Sequence, residues 1–401
     1  ENIGVNPIPN PVDGTVDIEY TLEEKPSDQI ELSGGWGAGM IVGTLGLSFN
    51  NFSARNFFKS EAWRPLPAGD GQRLSLRAQS NGVYYQAYNM SFVEPWLGGK
   101  KPNSLSVSLY HTVQSDGRDN DDPARQSIQI TGFALGLGKR LKWPDDFFIL
   151  RNELSFQIYD LSNWSSFLFA NGRANNFSFT TTFARNSVDQ PIYPRRGSNF
   201  SISLQITPPY SLFNGKDYSE LNDQEKYRWV EYHKWTFKAS WFEKLAGDLV
   251  VNAKVNFGFL GYFNKDARSP FEGYYVGGDG LSGYNLYGRE TIALRGYDNG
   301  SLTPYNGGNI YNKYTLELRY PISLNPQATL YGLVFLEGGN AWTDFRDFSP
   351  FEIKRAAGVG MRIFLPMFGM LGVDWGYGFD DIIDKPSANK SQFHFVIGQQ
   401  F

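Results

Sequence analysis

The sequence has no cysteine and only three histidines among its 401 residues. Thiol catalysis, a disulfide scaffold and cysteine-based zinc sites are therefore excluded. His111, His233 and His394 lack the His-Glu-x-x-His spacing of a zinc enzyme. The sequence also marks no serine or aspartate nucleophile beside a positioned histidine. We therefore expect no catalytic residues, no metal ion and no cofactor, and we do not expect an enzyme.

An excess of positive charge is missing too. The chain has 37 Lys and Arg against 41 Asp and Glu, which gives a formal net charge of −4. Proteins that bind nucleic acids neutralise phosphates with a basic surface. We therefore expect no nucleic acid partner.

Long apolar runs are also absent. The longest run interrupted only by Gly and Pro covers residues 363–373, whereas a membrane-spanning helix needs about 18 apolar residues. The chain nevertheless has 32 Phe, 23 Tyr and 10 Trp with a mean hydropathy of −0.39. This combination is typical of an outer-membrane β-barrel, in which polar and apolar residues alternate and aromatic residues form two interfacial girdles. A soluble all-β protein of many strands is the alternative.

Several segments alternate with a period of two. In residues 198–207 every second side chain is apolar, and in residues 314–320 Thr315, Glu317 and Arg319 occupy the positions between apolar side chains. This is the pattern of a strand with lipid on one face and a wet lumen on the other. A soluble sandwich has the same alternation, so the pattern alone does not decide which face is inside.

Turn signals between the alternating segments predict about sixteen strands. The predicted strands lie near residues 29–37, 42–50, 72–80, 83–93, 104–114, 126–138, 147–160, 173–184, 198–207, 229–243, 248–261, 312–320, 327–339, 354–365, 369–378 and 392–401. An even number is typical of bacterial barrels. The predicted fold class is therefore all-β, a transmembrane antiparallel barrel over residues 28–401.

The longest connection covers residues 262–311. It is rich in Gly and Tyr and shows no obvious strand of its own, and structureless loops of this length are usually functional or disordered. If the first barrel strand runs outward from the periplasm, this loop is extracellular. Residues 12–25 alternate like one strand of a small separate domain, and the chain begins at Glu1 rather than Met, so we expect a mature or shortened chain.

Seven motifs, in order along the chain, resemble the family of outer-membrane β-barrel assembly proteins, the BamA family. They are Glu-Leu-Ser-Gly-Gly-Trp-Gly at 31–37, Glu-Pro-Trp-Leu at 94–97, Pro-Arg-Arg-Gly at 194–197, Tyr-Val-Gly-Gly at 275–278, Leu-Arg-Gly-Tyr at 294–297, Phe-Leu-Glu-Gly-Gly at 335–339 and the alternating terminus that ends in Phe401. The tip motif Leu294, Arg295, Gly296 and Tyr297 is the most specific of them. A terminal Phe is shared by most outer-membrane barrels.

The resemblance implies a location and a function. Residues 1–27 would be the end of the last periplasmic POTRA domain with its linker, and further N-terminal domains would lie in the periplasm. The barrel would sit in the bacterial outer membrane and insert other barrel proteins without ATP. Its partners would be unfolded outer-membrane proteins, the accessory lipoproteins of a BAM complex and the lipid bilayer.

The mechanism that the resemblance implies is lateral opening between the first and last strands. An open sheet edge offers partners to the backbone groups of an incoming strand. The residues expected at this lateral seam are Glu31, Ser33, Gly34, Gly35, Gly37, Phe393, Phe395, Ile397, Gly398 and Phe401. The glycines supply no side chains for cross-strand packing, although they fit a bulge or the relief of crowding equally well.

The resemblance gives Arg295 a structural role. If the loop folds into the lumen, its guanidinium needs carboxylate partners, because an unpaired buried charge is expensive. Glu337, Glu317 and Asp374 are expected to project inward and are the candidate partners. The family usually has Asp in its Phe-x-Asp-x-Gly element where this chain has Glu337.

Two other functions stay open. A two-partner secretion transporter shares the barrel and the loop motif but exports one dedicated partner through its lumen. A diffusion porin of sixteen strands is the less favoured alternative, since it would have no counterpart of residues 12–25.

Overall fold

A computed structural model gives the fold and describes residues 2–10, 14–23, 28–37, 40–63, 66–165, 167–280, 289–305, 307–325, 327–365, 369–383 and 385–397. Its strands are β1 (Asn2–Asn10), β2 (Thr15–Glu23), β3 (Gln29–Gly37), β4 (Met40–Phe52), β5 (Gln72–Ser80), β6 (Tyr85–Glu94), β7 (Asn103–Ser115), β8 (Ser127–Arg140), β9 (Phe148–Ser162), β10 (Gly172–Asn186), β11 (Gly197–Ile206), β12 (His233–Lys244), β13 (Val250–Gly261), β14 (Tyr274–Val276), β15 (Glu290–Ile292), β16 (Ile310–Asn325), β17 (Ala328–Trp342), β18 (Lys354–Leu365), β19 (Gly369–Gly378) and β20 (Lys390–Ile397).

One sheet of sixteen antiparallel strands forms the body of the molecule. It runs from β3 to β20 in chain order and leaves out only β14 and β15, so that β13 pairs directly with β16. The predicted all-β class and strand number are confirmed. The sheet order begins at β3 and ends at β20, and no ladder joins these two strands within the described ranges.

The two faces of the sheet are inverted relative to a water-soluble protein. On β16, Leu316 and Leu318 are 45% and 37% exposed, whereas the charged Glu317 between them is 3% exposed. Apolar side chains therefore face outward and charged ones inward, which is the arrangement of a wall that stands in lipid around a polar lumen. This observation removes the ambiguity that the alternation of residues 314–320 left open.

Among the described residues, the helical elements are all short. They are the α-helices Tyr210–Phe213 and Asp223–Lys226 and the 3₁₀-helices Ala54–Asn56, Ser60–Ala62, Lys265–Ala267 and Phe345–Asp347. In the part of the chain that is described, a helix with the length and apolarity needed to cross a bilayer is not found.

The N-terminal segment forms a hairpin of its own. β1 and β2 pair over their full length, from Asn2 with Glu23 to Asn10 with Thr15. The sequence predicted one strand in residues 12–25, and the structure gives that strand a partner. Its assignment to a POTRA domain stays a prediction.

The long loop contradicts the expectation that it has no strand. β14 and β15 lie within it and pair in parallel, Tyr274 with Glu290 and Val276 with Ile292. Both strands are three residues long, too short for a period of two to be recognised in the sequence.

The loop fills the lumen from the end where β13 and β16 meet it. Phe271, Val276, Leu294 and Tyr297 are all fully buried and belong to one core cluster with side chains of the barrel wall. The ring of Phe271 stacks on Tyr159 of β9 with centroids 4.3 Å apart. Because apolar side chains gain free energy from this burial, the inward position of the loop is fixed by packing.

A turn enters the lumen from the opposite end. Tyr193, in the turn between β10 and β11, donates hydrogen bonds to the carbonyl oxygens of Asp248 (3.1 Å) and Arg319 (3.0 Å). The Pro-Arg-Arg-Gly motif shapes this turn, because Gly197 has a φ of 104° and a Cβ there would lie 2.3 Å from the carbonyl oxygen of Ser187. Only glycine fits such a position without strain.

Candidate functional site

The tip of the long loop places Arg295 against all three carboxylates expected from the sequence. Its guanidinium lies 2.7 Å from Glu337 Oε1, 2.9 Å from Glu317 Oε1 and 3.2 Å from Asp374 Oδ2. Arg295 is 7% exposed, and the three acids are at least as deeply buried. The acids come from β16, β17 and β19, so one loop side chain connects three strands of the wall.

Glu337 makes a second bond to the same residue. Its Oε1 accepts from the guanidinium, and its Oε2 accepts from the backbone N–H of Arg295 at 3.0 Å. The Glu side chain thus fixes both the charge and the backbone of the loop tip, which answers how this chain accommodates Glu where the family usually has Asp.

Three further cations belong to the site, and the sequence analysis missed them. Lys313 lies 3.1 Å from Glu337, Arg319 lies 2.6 Å from Glu317, and Arg362 lies 2.7 Å from Asp374. A signal for two of them was present, because Lys313 and Arg319 share the inward parity of Glu317 on β16. Arg362 depends on the register of β18 against β19, which the sequence does not reveal.

The guanidinium of Arg295 stays charged in this site. Burial alone favours its neutral form, but the neighbouring carboxylates of Glu337 and Glu317 outweigh that effect and raise the pKa of Arg295 above its ordinary value. Its Cζ atom also lies 3.5 Å from the centre of the Phe335 ring, a cation–π contact in a desolvated place. The arrangement is a brace, because four cations and three carboxylates pair within it and connect the loop to the wall.

The residues on either side of Arg295 explain the rest of the tip motif. Gly296 has a φ of 85°, and a Cβ there would lie 2.7 Å from the backbone nitrogen of Gly378 on β19. Leu294 and Tyr297 are fully buried, and the Tyr297 hydroxyl donates to the carbonyl oxygen of Arg355 at 2.8 Å. Burial raises the pKa of Tyr297 to about 12.

Two loop residues reach the last strand. The N–H of Gly296 donates to Nε2 of His394 at 2.8 Å. The N–H of Phe395 donates to the carboxylate of Asp279 at 3.5 Å. The loop therefore contacts β20 through the backbone as well as through a side chain.

A second anchor holds the loop to the opposite wall. Glu272 is 7% exposed and lies 3.4 Å from Lys234 of β12 and 3.3 Å from Asn176 of β10. Its backbone has a φ of 67°, which is strained for a residue other than glycine. Burial raises the pKa of Glu272, and the nearby charge of Lys234 offsets part of that rise.

Between these anchors the lumen keeps a cavity of about 370 Å³ that is lined by both polar and apolar side chains. Arg295, Lys254, Asp279 and His394 all line it. Within the described residues, no group of three or more His, Asp or Glu side chains is placed to hold a metal ion.

The family is decided by comparison with known proteins. The Omp85 superfamily domain matches residues 68–401, most of the chain. The chain belongs to the Omp85 superfamily. The resemblance found in the sequence is confirmed, and the barrel is that of an outer-membrane β-barrel protein.

Solved structures share the Omp85 fold with this chain. BamA from Haemophilus ducreyi lacking POTRA domains 1–3 is similar with a TM-score of 0.64 and 18% identity, over 98% of this chain and 74% of that one. CdiB from Escherichia coli gives 0.60 and 13%, over 98% and 67% of the two chains. CdiB from Acinetobacter baumannii gives 0.55 and 14%, over 98% and 64%. Identities this low establish a common fold.

The residues expected at the lateral seam lie on the two end strands of this Omp85 sheet. Glu31, Ser33, Gly34, Gly35 and Gly37 lie on β3, in a ladder with β4 from Gln29 to Gly37.

On the other end strand, Phe393 and Phe395 of β20 are 68% and 55% exposed on the outward face. Ile397 pairs with Leu371 of β19. Gly398 and Phe401 lie outside the described residues.

Proposed function

We propose that this Omp85 barrel folds and inserts other β-barrel proteins into the outer membrane by templating their strands at the seam between β3 and β20. The substrates are unfolded outer-membrane proteins. No ATP is required, because the free energy comes from the backbone hydrogen bonds and apolar burial of the new barrel. Binding to accessory lipoproteins remains part of the same proposal.

The observation that carries the proposal is the way β20 is held. On one side β20 pairs with β19, while its Phe395 N–H donates to the loop carboxylate of Asp279. A side chain thus takes the place that the carbonyl group of another strand would take. An edge amide held by one carboxylate is open to exchange with the backbone of an incoming strand.

The Arg295 brace supports the same mechanism. It joins β16, β17 and β19 to the loop, and the Gly296–His394 bond adds β20. Because these late strands are all bonded to the long loop, they move together. The movement that admits a substrate strand is therefore left to the glycine-rich β3. The rigid wall on the β20 side of the seam thus holds β20 in position as the template strand.

Export of one dedicated partner through the lumen is the second candidate, since both CdiB structures share the fold. Export requires that the loop leave the lumen, and its buried Arg295 and Glu272 anchors oppose that movement in any transporter that shares the loop motif, so the depletion experiment decides between export and assembly. For the same reason a porin, which needs a permanently open lumen, is disfavoured.

Depletion of the protein in its host tests the proposal. We expect many unrelated outer-membrane barrels to disappear together. Loss of a single secreted protein with normal levels of the other barrels would contradict assembly and indicate export. Single-channel recordings distinguish an assembly protein from a porin. A porin would give large and steady currents, whereas we expect small and flickering currents.

A further inference from the structure

Two turns and the end of the strand β8, at the end of the barrel opposite to the long loop, bring five cations together. The turns are residues 95–102, between β6 and β7, and residues 141–147, between β8 and β9. The register pairs Asn103 with Lys139, so the start of β7 and the end of β8 lie side by side. We call these cations the basic turn patch: Lys100, Lys101, Lys139, Arg140 and Lys142.

The patch begins where the lipid-facing surface stops being apolar. Along the outward face of β8, Phe133 and Leu137 are 41% and 50% exposed, and the next outward residue is Lys139. On β7 the outward Leu109 is 47% exposed, and the same parity continues to Lys101 beyond the strand. The cations therefore follow directly on the hydrocarbon-facing surface, at the depth of the lipid headgroups.

Two tryptophans flank the patch. Trp96 in the first turn is 52% exposed and Trp143 in the second is 81% exposed. Tryptophan is enriched at the membrane–water interface because its ring is apolar and its N–H is polar. Both rings therefore mark the same depth as the cations.

The positive charge of the patch is not neutralised by neighbouring acids. In the described part of the chain, Lys100, Lys101, Lys139 and Lys142 are all exposed and have no carboxylate within 4.0 Å. Two acids lie in the second turn. Asp145 is engaged by Arg185 at 2.9 Å. Asp146 is exposed and meets Arg140 only through its backbone carbonyl oxygen at 2.6 Å. Among the described residues, five cations of the patch therefore face one acid without a cation partner of its own.

Another pair of turns at the same end behaves differently. Arg195, in the turn after β10, and Lys244, at the end of β12, both pair with Asp248, at 3.7 Å and 3.6 Å. The surplus of cations around β7 and β8 therefore has no counterpart in the Arg195, Lys244 and Asp248 group.

We propose that the basic turn patch binds the headgroups of anionic phospholipids. Clusters of four or more Lys and Arg next to a membrane-embedded surface attract anionic lipids, and each cation adds to the attraction. Flexible ammonium groups suit phosphodiester oxygens, while Trp96 and Trp143 pack beside the glycerol and upper acyl chain. The patch would hold a shell of such lipids against β7 and β8, which lie four and five strands along the sheet from β3. The proposal rests on the barrel fold and is independent of the assembly function.

Electron paramagnetic resonance with spin-labelled lipids tests the proposal on the whole chain in phosphatidylcholine nanodiscs. The test variant carries Lys100→Gln, Lys101→Gln, Lys139→Gln and Lys142→Gln. The control carries Lys216→Gln, Lys226→Gln, Arg228→Gln and Lys265→Gln, which removes the same charge from loops at the other end. The measured quantity is the relative association of labelled phosphatidylglycerol and phosphatidylcholine with the barrel.

We expect the native chain to prefer phosphatidylglycerol about tenfold or more, the control to keep that preference, and the test variant to lose most of it. The preference of the native chain should also fall as salt is raised, because exposed charges are screened. Absence of any preference, its persistence in the test variant, or an equal loss in the control would overturn the proposal. So would competition by inorganic phosphate beyond that of chloride at equal ionic strength, which would indicate a site for free phosphate.

Discussion

Replacing Arg295 by methionine removes the charge at the centre of the brace and keeps most of the side-chain volume. The residue makes three charge-assisted hydrogen bonds to buried carboxylates. Bonds to charged groups contribute about 1.5–3 kcal/mol each, so simple addition would give up to about 9 kcal/mol. That sum overstates the loss, because the same carboxylates have other partners.

The cations that remain after the substitution determine how much stability is lost. After the change, Glu337 still has Lys313, Glu317 still has Arg319, and Asp374 still has Arg362. Three cations then face three carboxylates where four did before. Leaving a buried charge wholly uncompensated costs about 3–5 kcal/mol, and this site avoids most of that penalty. We therefore expect a loss of about 2–4 kcal/mol in the free energy of unfolding.

A urea titration in detergent micelles measures the loss in the free energy of unfolding. The folded fraction is read from gel electrophoresis of unheated samples, in which the folded barrel migrates faster than the unfolded chain. The matched control is Arg173→Met. Arg173 lies 2.8 Å from Asp160, but the two side chains are 62% and 41% exposed, and exposed pairs contribute about 0–1 kcal/mol. If Arg295→Met costs no more than Arg173→Met, the buried brace does not stabilise the barrel and the reasoning is wrong.

Three further predictions concern the loop. Gly296→Ala should destabilise the barrel by at least about 2 kcal/mol more than Gly307→Ala. Both glycines have a positive φ, but only at Gly296 does the added Cβ meet backbone atoms. Equal losses of stability in thermal unfolding would show that the close backbone contact at Gly296 has no energetic effect. Burial raises the pKa of Glu272, so the folded chain binds the proton of this carboxyl group more tightly than the unfolded chain does, and the contribution of Glu272 to stability is greatest in acid and falls as pH rises through the folded pKa. Glu272→Gln should therefore make the free energy of unfolding depend less steeply on pH, as measured by unfolding titrations at several pH values. An unchanged pH dependence would count against this prediction. Asp279→Ala should speed hydrogen exchange of the Phe395 amide and leave the exchange of the Val373 amide, within the sheet, unchanged. Equal protection of the Phe395 amide in the native chain and in the variant would show that Asp279 does not hold this amide.

Local periodicity was sufficient to predict the barrel wall. Apolar and polar side chains alternate along each strand, and turn residues separate the strands, so the sixteen strands follow from short-range rules. The inward parity of Glu317 and Glu337 follows in the same way, which is why the partners of Arg295 could be named once the resemblance placed its loop in the lumen.

The rest of the site depends on long-range geometry. Whether Arg362 meets Asp374 depends on strand register, and the bond between Gly296 and His394 joins residues 98 apart in the chain. The strained backbone of Glu272 is imposed by its fixed neighbours on β10 and β12 and not by its own sequence. β14 and β15 are set by the packing of the loop inside the lumen, for which three residues carry no periodic signal.

The central claim is that substrate strands enter between β3 and β20, and locking that seam tests it most directly. The chain has no cysteine, so pairs can be introduced with one member in Gln29–Gly37 and the other in Lys390–Ile397 without side reactions. We predict that the oxidised, cross-linked protein fails to assemble other barrels in the cell and that reduction restores assembly, while each single cysteine variant stays active. Full assembly by a completely cross-linked protein would contradict the account.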